Sequence, residues 1–228
     1  MSERYFTKQT FDFLSALTEN NNREWFAAHQ QEYENLIRTP ALDFISDMSR
    51  DMPAISCHFL AQSKTVGGSL MRVYRDTRFS KDKTPYKTNI GIQFRHEVGK
   101  DIHAPGYYFH LAPGECFLGA GLWHPDADAL YKIRQAIVEK SDKWVAARDE
   151  KIFKKFYSLA GDSLVNAPRG FIKDHPLAED LKRKDFICLA ALSEAAATSK
   201  NLRPQVVERF RQAEPMMKFL CGALELRF

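Results

Sequence analysis

The chain is poor in cysteine. Cys57, Cys116, Cys188 and Cys221 are its only four in 228 residues, separated by 59, 72 and 33 positions. No pair has the short spacing of a zinc knuckle or a redox motif, which argues against metal-stapled and disulfide-framework folds and leaves four expected free thiols. Long hydrophobic runs are missing too. The longest, Phe186 to Leu192, falls far short of the roughly 20 apolar residues that a membrane-crossing helix needs, and the first ten residues carry neither an apolar stretch nor a small-residue cleavage site. No membrane association is expected, and the expected compartment is cytoplasmic. With only 11 Gly and 10 Pro the composition is neither collagenous nor that of a disordered tract. His96, His103, His110 and His124 are spaced by seven, seven and fourteen, unlike the spacings that bring metal ligands together, so no metal is expected. Gly119 and Gly121 lack the third glycine and the strand-helix crossover of a dinucleotide fingerprint, and no cofactor is expected.

What is present suits an ordinary globular chain. Hydrophobic residues make up 44% and charged residues 27%, and 17 Phe, 8 Tyr and 3 Trp predict a well-filled core. A fold of this length buries roughly 70 to 75% of the surface of its unfolded chain and needs no covalent staple. No repeat, low-complexity tract or linker interrupts it, so a single compact domain over 1–228 is expected.

The pattern of apolar residues predicts three regions. From about 6 to 52 the chain reads as helix: Phe11, Leu14 and Leu17 form one face, Asn20 to Asn22 break that helix and cap the next, and Trp25, Phe26, His29, Tyr33, Leu36 and Ile37 share a stripe. Thr39 and Pro40 read as the start of a third helix with Leu42, Ile45 and Met48 inward. From about 66 to 123 the period becomes two. Met71 and Val73 alternate with Arg72 and Tyr74, and Ile90, Ile92 and Phe94 alternate with Gly91, Gln93 and Arg95; Tyr107 to Leu111 and Cys116 to Leu122 read as a hairpin turning at Pro113 and Gly114. Gly67 and Gly68 mark a turn before the first of these strands. From about 125 to 226 the chain is helical and mixed, with a helix opening at Asp126, more helix through Trp144, Ile152, Phe153 and Phe156, a loop from 161 to 176, a strand at Phe186 to Leu192, and a closing helix over 204–224 that is kinked or restarted at Pro215. Helices followed by consecutive strands predict an α+β fold with a mainly antiparallel sheet flanked by helices.

Charge is concentrated in one place. Between Met71 and Thr88 stand Arg72, Arg75, Arg78, Lys81, Lys83 and Lys87 beside only Asp76 and Asp82, a net +4 that equals the formal charge of the whole protein; the remaining 27 of 33 basic and 27 of 29 acidic residues cancel. Such focusing points to an anionic partner.

Three blocks carry a family resemblance: Phe11 to Leu17 with Asn21 to Phe26 and Tyr33; Arg72 to Thr88; and Pro168 to Phe171 with Asp174 to Pro176. Together they resemble a widespread family of hypothetical proteins, the domain of unknown function 2461. The resemblance spans nearly the whole chain and is most specific in the middle block. It departs where Leu164 to Ala167 replace the more basic residues expected before Pro168, which weakens a role for that segment in anion binding. The resemblance implies the domain limits and the candidate site, and supplies no reaction.

Within the basic block the candidate ligand-binding residues are Arg72, Tyr74, Arg75, Arg78, Lys83, Tyr86 and Lys87. Guanidinium forks bind phosphate or carboxylate bidentately, lysines add point charge, and interleaved aromatic rings suit stacking on a base. The competing reading is that Arg75, Asp76, Arg78 and Asp82 pair among themselves to shape a long loop. His110, on the strand face opposite Phe109, and Asp76 are the candidate proton carriers; Asp174 and His175 have suitable residue types but are only sequence neighbours. Three functions stay open: binding of an anionic small molecule or nucleic acid, a phosphoester hydrolase or transferase using the same cations, and an interaction module that docks an acidic protein. Oligomeric state is not legible.

Overall fold

The computed structural model describes residues 4–99 and 104–228. In chain order the helices are α1 (Lys8–Glu19), α2 (Arg23–Ala28), α3 (Gln30–Tyr33), α4 (Thr39–Asp51), α5 (Ala127–Glu139), α6 (Ser141–Arg148), α7 (Lys151–Phe156), α8 (Ala178–Leu181), α9 (Glu194–Ala197), α10 (Leu202–Gln212) and α11 (Glu214–Ala223). The strands are β1 (Phe59–Leu60), β2 (Ile90–His96), β3 (Gly106–Ala112), β4 (Glu115–Leu122), β5 (Ser158–Ala160) and β6 (Phe186–Leu192). They form one six-stranded sheet in the order β1-β2-β3-β4-β6-β5, antiparallel at every pairing. The fold is α+β, as the change of period predicts.

Alternation decides which sheet face is covered. Ile90, Ile92 and Phe94 on β2, Tyr107, Phe109 and Leu111 on β3, Leu118 and Ala120 on β4, and Phe186 and Cys188 on β6 are all buried on one face. Helix α4 packs there against β2, and α10 and α11 against β4. Aromatic rings make the join: Phe44 meets Phe109 at 5.3 Å, and Phe210 meets Tyr107 at 4.6 Å. Each fully buried ring of this kind contributes about 1.5 to 3 kcal/mol. The four cysteines are free, three of them buried.

Two expectations about helices are corrected. Helix α4 opens at Thr39 with Pro40 in its first turn, as expected, but it is not a fresh start, because a π turn at Glu34–Arg38 runs straight into it with Arg38 already helical. Pro40 has no N–H to give the Leu36 carbonyl, and the hydroxyl of buried Thr10 donates to that carbonyl at 3.1 Å instead. The inward residues of α4 are accordingly Ala41, Phe44, Ile45 and Met48, with Leu42 only half-buried. Farther on, Ile152 points outward on α7 while Phe153 is buried. By contrast the restart at Pro215, where α11 follows α10, and the Asp126 cap, whose side chain accepts the Ala129 N–H at 2.8 Å, are as expected.

The strand expected over Met71 to Tyr74 does not form. The segment stays extended but makes only the isolated bridges Leu70 to Ile92 and Tyr74 to Tyr86. Met71 N–H donates to the Gly91 carbonyl at 2.9 Å, after which the chain leaves β2 to pair with a later stretch: Lys87 N–H reaches the Val73 carbonyl at 2.7 Å and Arg75 N–H the Pro85 carbonyl at 2.9 Å. Pro85 offers no N–H, so this second ladder cannot grow. The expected facing changes with it. Leu70 and Val73 pack against the core, whereas Met71 is 36% exposed and lies over Gly91.

Gly121 sits on β4 at φ +121°, and a Cβ there would overlap the Phe186 carbonyl oxygen of the neighbouring strand. Gly121→Ala should therefore cost at least about 2 kcal/mol, a fall of roughly 4 to 8 °C in Tm, read by thermal and urea unfolding.

Candidate anion-binding cavity

The site begins at the open edge of β2. Strand β1 is only two residues long and pairs with Arg95 and His96, leaving the rest of that edge exposed. A turn over 62–69 brings the chain back to it: Ser69 N–H donates to the Gln62 carbonyl at 2.8 Å, and Gln62 N–H to Ser69 Oγ at 3.0 Å. Gly67 has φ +70°, and a Cβ on Gly68 would overlap Gln62 and Lys64 backbone atoms. Gln93 N–H then donates to the Ser69 carbonyl at 2.8 Å, which satisfies the edge and fixes the start of the basic block.

Between this strap and the helical wall lies a cavity of about 630 Å³. Phe26, Gln30, Tyr33, Glu34 and Arg38 line one side, residues 65–74 another, and Lys87, Gln93 and Arg95 complete it. Four cations therefore face one carboxylate, and that carboxylate is engaged, since Glu34 Oε1 accepts from Arg38 at 2.6 Å across the π turn. Arg95 donates to the Gln93 side chain at 3.0 Å. Arg72 and Lys87 have no hydrogen bond from their side chains and no ion pair among the described residues. Arg72 is exposed; Lys87 is half-buried, and burial together with the Arg72 charge pushes its pKa below the ordinary lysine value. Burial also pushes the Tyr33 hydroxyl up to about 12, so it faces the cavity as a neutral donor or acceptor.

One side chain ties the two walls together. The Asn21 amide donates to the Tyr86 carbonyl at 2.9 Å and its carbonyl accepts the Tyr86 N–H at 3.0 Å, which pins the residue before Lys87 to the α1–α2 turn. The Tyr86 ring is buried and stacks on Phe26 at 4.0 Å, and the Tyr74 ring meets it at a tilt with centroids 5.5 Å apart. Of these rings Phe26 and Tyr74 line the cavity.

The basic block thus divides. Arg72, Tyr74 and Lys87 come together at the cavity. Tyr86 supports it from beneath without lining it. Arg75 turns away to Asp82 and the Thr84 hydroxyl. Arg78 forms a two-pronged pair with Asp76, at 3.0 and 2.7 Å, and Lys83 donates to the Thr77 carbonyl at 2.8 Å. These contacts shape the 76–84 loop, the competing role considered for those four charged residues. The Arg78 hydrogen bonds hold the Asp76 carboxyl at about 2, and the Thr84 N–H followed by Arg75 holds Asp82 at about 2, so both stay ionised.

His110 lies on the opposite sheet face from Phe109, stacked on Phe117 at 4.5 Å, and does not line the cavity. The Tyr108 hydroxyl is 3.1 Å and the Asn89 amide nitrogen 3.4 Å from its Nδ1. An amide nitrogen only donates, so Nδ1 accepts and the neutral ring carries its proton on Nε2. Burial lowers the His110 pKa, favouring that neutral form. The Asp174–His175 neighbours are not an acid–base pair: His175 Nδ1 accepts the Leu177 N–H at 3.0 Å in the turn that leads into α8. His96 Nε2 is engaged by the Arg227 carbonyl at 2.8 Å, and His103 lies outside the described residues.

Asn21, Glu34, Arg38 and Arg95 were not picked out as site residues by pattern. Alternation along β2 places Arg95 outward, and Glu34 with Arg38 has the i,i+4 spacing of a helical ion pair. Neither pattern says that the two walls meet.

The profile of the conserved hypothetical protein family DUF2461 matches residues 9–219, and the chain belongs to that family. No curated protein and no solved structure gives a match. No helix among the described residues is long and apolar enough to cross a membrane.

Asn21→Ala would leave two partly buried backbone groups of Tyr86 without partners. It should lower stability by about 2 to 4 kcal/mol, measured by urea unfolding, and raise amide exchange at Tyr86 and Lys87 more than elsewhere.

Proposed function

We propose that the cavity beside the β2 edge binds a phosphate-bearing small molecule, with Arg72 and Lys87 as its principal anion contacts and Arg38 and Arg95 adding charge. One observation carries this reading. Arg75, Arg78 and Lys83 have acceptors of their own and Lys81 stands exposed on the loop, while Arg72 and Lys87, the two cations of the block that line the cavity, have none among the described residues and sit beside further cations with one engaged carboxylate. Leaving like charges uncompensated costs stability, and a bound anion relieves that cost.

Concavity favours a small ligand over a flat protein contact, and 630 Å³ is within the range of metabolite pockets. Phe26 and Tyr74, which line the cavity, offer apolar area beside the charges, which suits a phosphate carried on a planar or ring-bearing group. A cytoplasmic setting accords with four free thiols, one of them exposed at Cys57.

Titration with inorganic pyrophosphate tests the reading. At a concentration of about 100 times Kd it should raise Tm by roughly 5 to 11 °C, and Arg72→Ala should weaken binding by about tenfold to a hundredfold, as expected for a lost charge-assisted contact. Arg78→Ala, which removes a cation already paired with Asp76, should change affinity by less than about threefold. Equal losses in the two variants, or none in either, would overturn the assignment.

A further inference from the structure

Among the described residues Arg72, Lys81 and Lys87 are the cations of the block whose side chains have no hydrogen-bonded partner, and Lys87 differs from the other two in its burial. Lys81 and Lys83 stand exposed on the loop, and Lys83 has a carbonyl to donate to. Lys87 is half-buried, lines the 630 Å³ cavity, and its backbone is held on both sides, by its own N–H on the Val73 carbonyl at 2.7 Å and by the Asn21 clasp on Tyr86. Its stem therefore leaves a fixed point and its amine shares a confined space with Arg72. An amine held partly out of water beside a second cation, with the cavity carboxylate Glu34 taken up by Arg38, is the arrangement that favours the neutral, nucleophilic form of lysine.

We propose that Lys87 forms a Schiff base with a phosphate-bearing aldehyde or ketone, the phosphate lying on Arg72 and its neighbouring guanidinium groups. The inference rests on the anion-binding reading of the cavity and adds the chemical class of the ligand. In the step, the lone pair of the neutral ε-amine attacks the carbonyl carbon, and the carbonyl oxygen takes up a proton to give a carbinolamine. Loss of the hydroxyl as water, with the remaining proton of the nitrogen, leaves a C=N bond. Amine and carbonyl compound thus give imine and one water, with no change of oxidation state. The groups facing Lys87 across the cavity are Arg72, Arg38, Arg95, Glu34, Tyr33 and Tyr74. Glu34 is engaged by Arg38, and Tyr33 is held neutral. Burial, and then Arg72, lower the Lys87 pKa, which enlarges the reactive neutral fraction at pH 7.

The test uses pyridoxal 5′-phosphate as the carbonyl probe and pyridoxine 5′-phosphate, which has an alcohol in place of the aldehyde, as its unreactive counterpart. The full chain is incubated with pyridoxal 5′-phosphate, reduced with borohydride and mapped by peptide mass spectrometry. Lys87 should be labelled at least about tenfold faster than exposed Lys81 and Lys83, excess pyridoxine 5′-phosphate should suppress its labelling, and Arg72→Ala should slow it about tenfold or more. Lys87→Arg should abolish the fast label, with its fold verified by circular dichroism and urea unfolding. Binding of pyridoxine 5′-phosphate to the wild type without preferential labelling of Lys87 would overturn the Schiff-base inference and leave the anion-binding reading standing. Absence of both would overturn both.

Discussion

The unsatisfied edge of β2 is the constraint on which the rest of the site depends. An exposed strand edge presents donors and acceptors that must be paired or covered. Here β1 covers two residues, and the chain must return through the 62–69 turn to satisfy Gly91 and Gln93. That return lays Ser69 to Met71 along the strand and delivers the basic block to the rim of the sheet. Because Pro85 prevents the second ladder from growing, the segment neither joins the sheet nor packs flat, and it stands away from the helical wall as one side of a cavity.

Electrostatics then sorts the cations by what they can reach. On the far part of the block, the loop folds back on itself and Asp76, Asp82, Thr84 and the Thr77 carbonyl take up Arg78, Arg75 and Lys83. These contacts are largely exposed and contribute little to global stability; their effect is to shape the loop. Nearer the sheet, Arg72 and Lys87 form no ion pair among the described residues, and Asp76, already held by Arg78, feels Arg72 only as a weaker Coulombic neighbour. The same four-residue step that pairs Glu34 with Arg38 in the π turn removes the one carboxylate that lines the cavity. π turns recur at functional sites, and here the turn carries Arg38 into the cavity lining while Thr10 compensates the carbonyl that Pro40 leaves open.

Local chemistry was legible in the sequence wherever one element decided it. The β3–β4 hairpin turned at Pro113 and Gly114, Asn22 capped α2, and the strands Ile90 to Phe94 and Phe186 to Leu192 alternated as their burial requires. The net charge of the block, and Arg72, Tyr74 and Lys87 within it, were equally visible. What escaped was decided by pairing between distant segments. The Met71 to Tyr74 alternation looked like a strand because its backbone is extended, but ladder length depends on where Pro85 falls in the opposing stretch. The split of the block into paired and unpaired cations depends on which acids the loop brings back. Asn21 reads as a turn residue, and nothing near it in sequence tells that its amide clasps Tyr86, 65 residues away.

The central claim is that an anion belongs between Arg72 and Lys87. A crystal soaked in tungstate and measured at the tungsten absorption edge tests it most directly. The account predicts an anomalous peak inside the cavity, within hydrogen-bond reach of the Arg72 guanidinium and the Lys87 amine. A peak at the Arg75 to Lys83 loop with the cavity empty would contradict it.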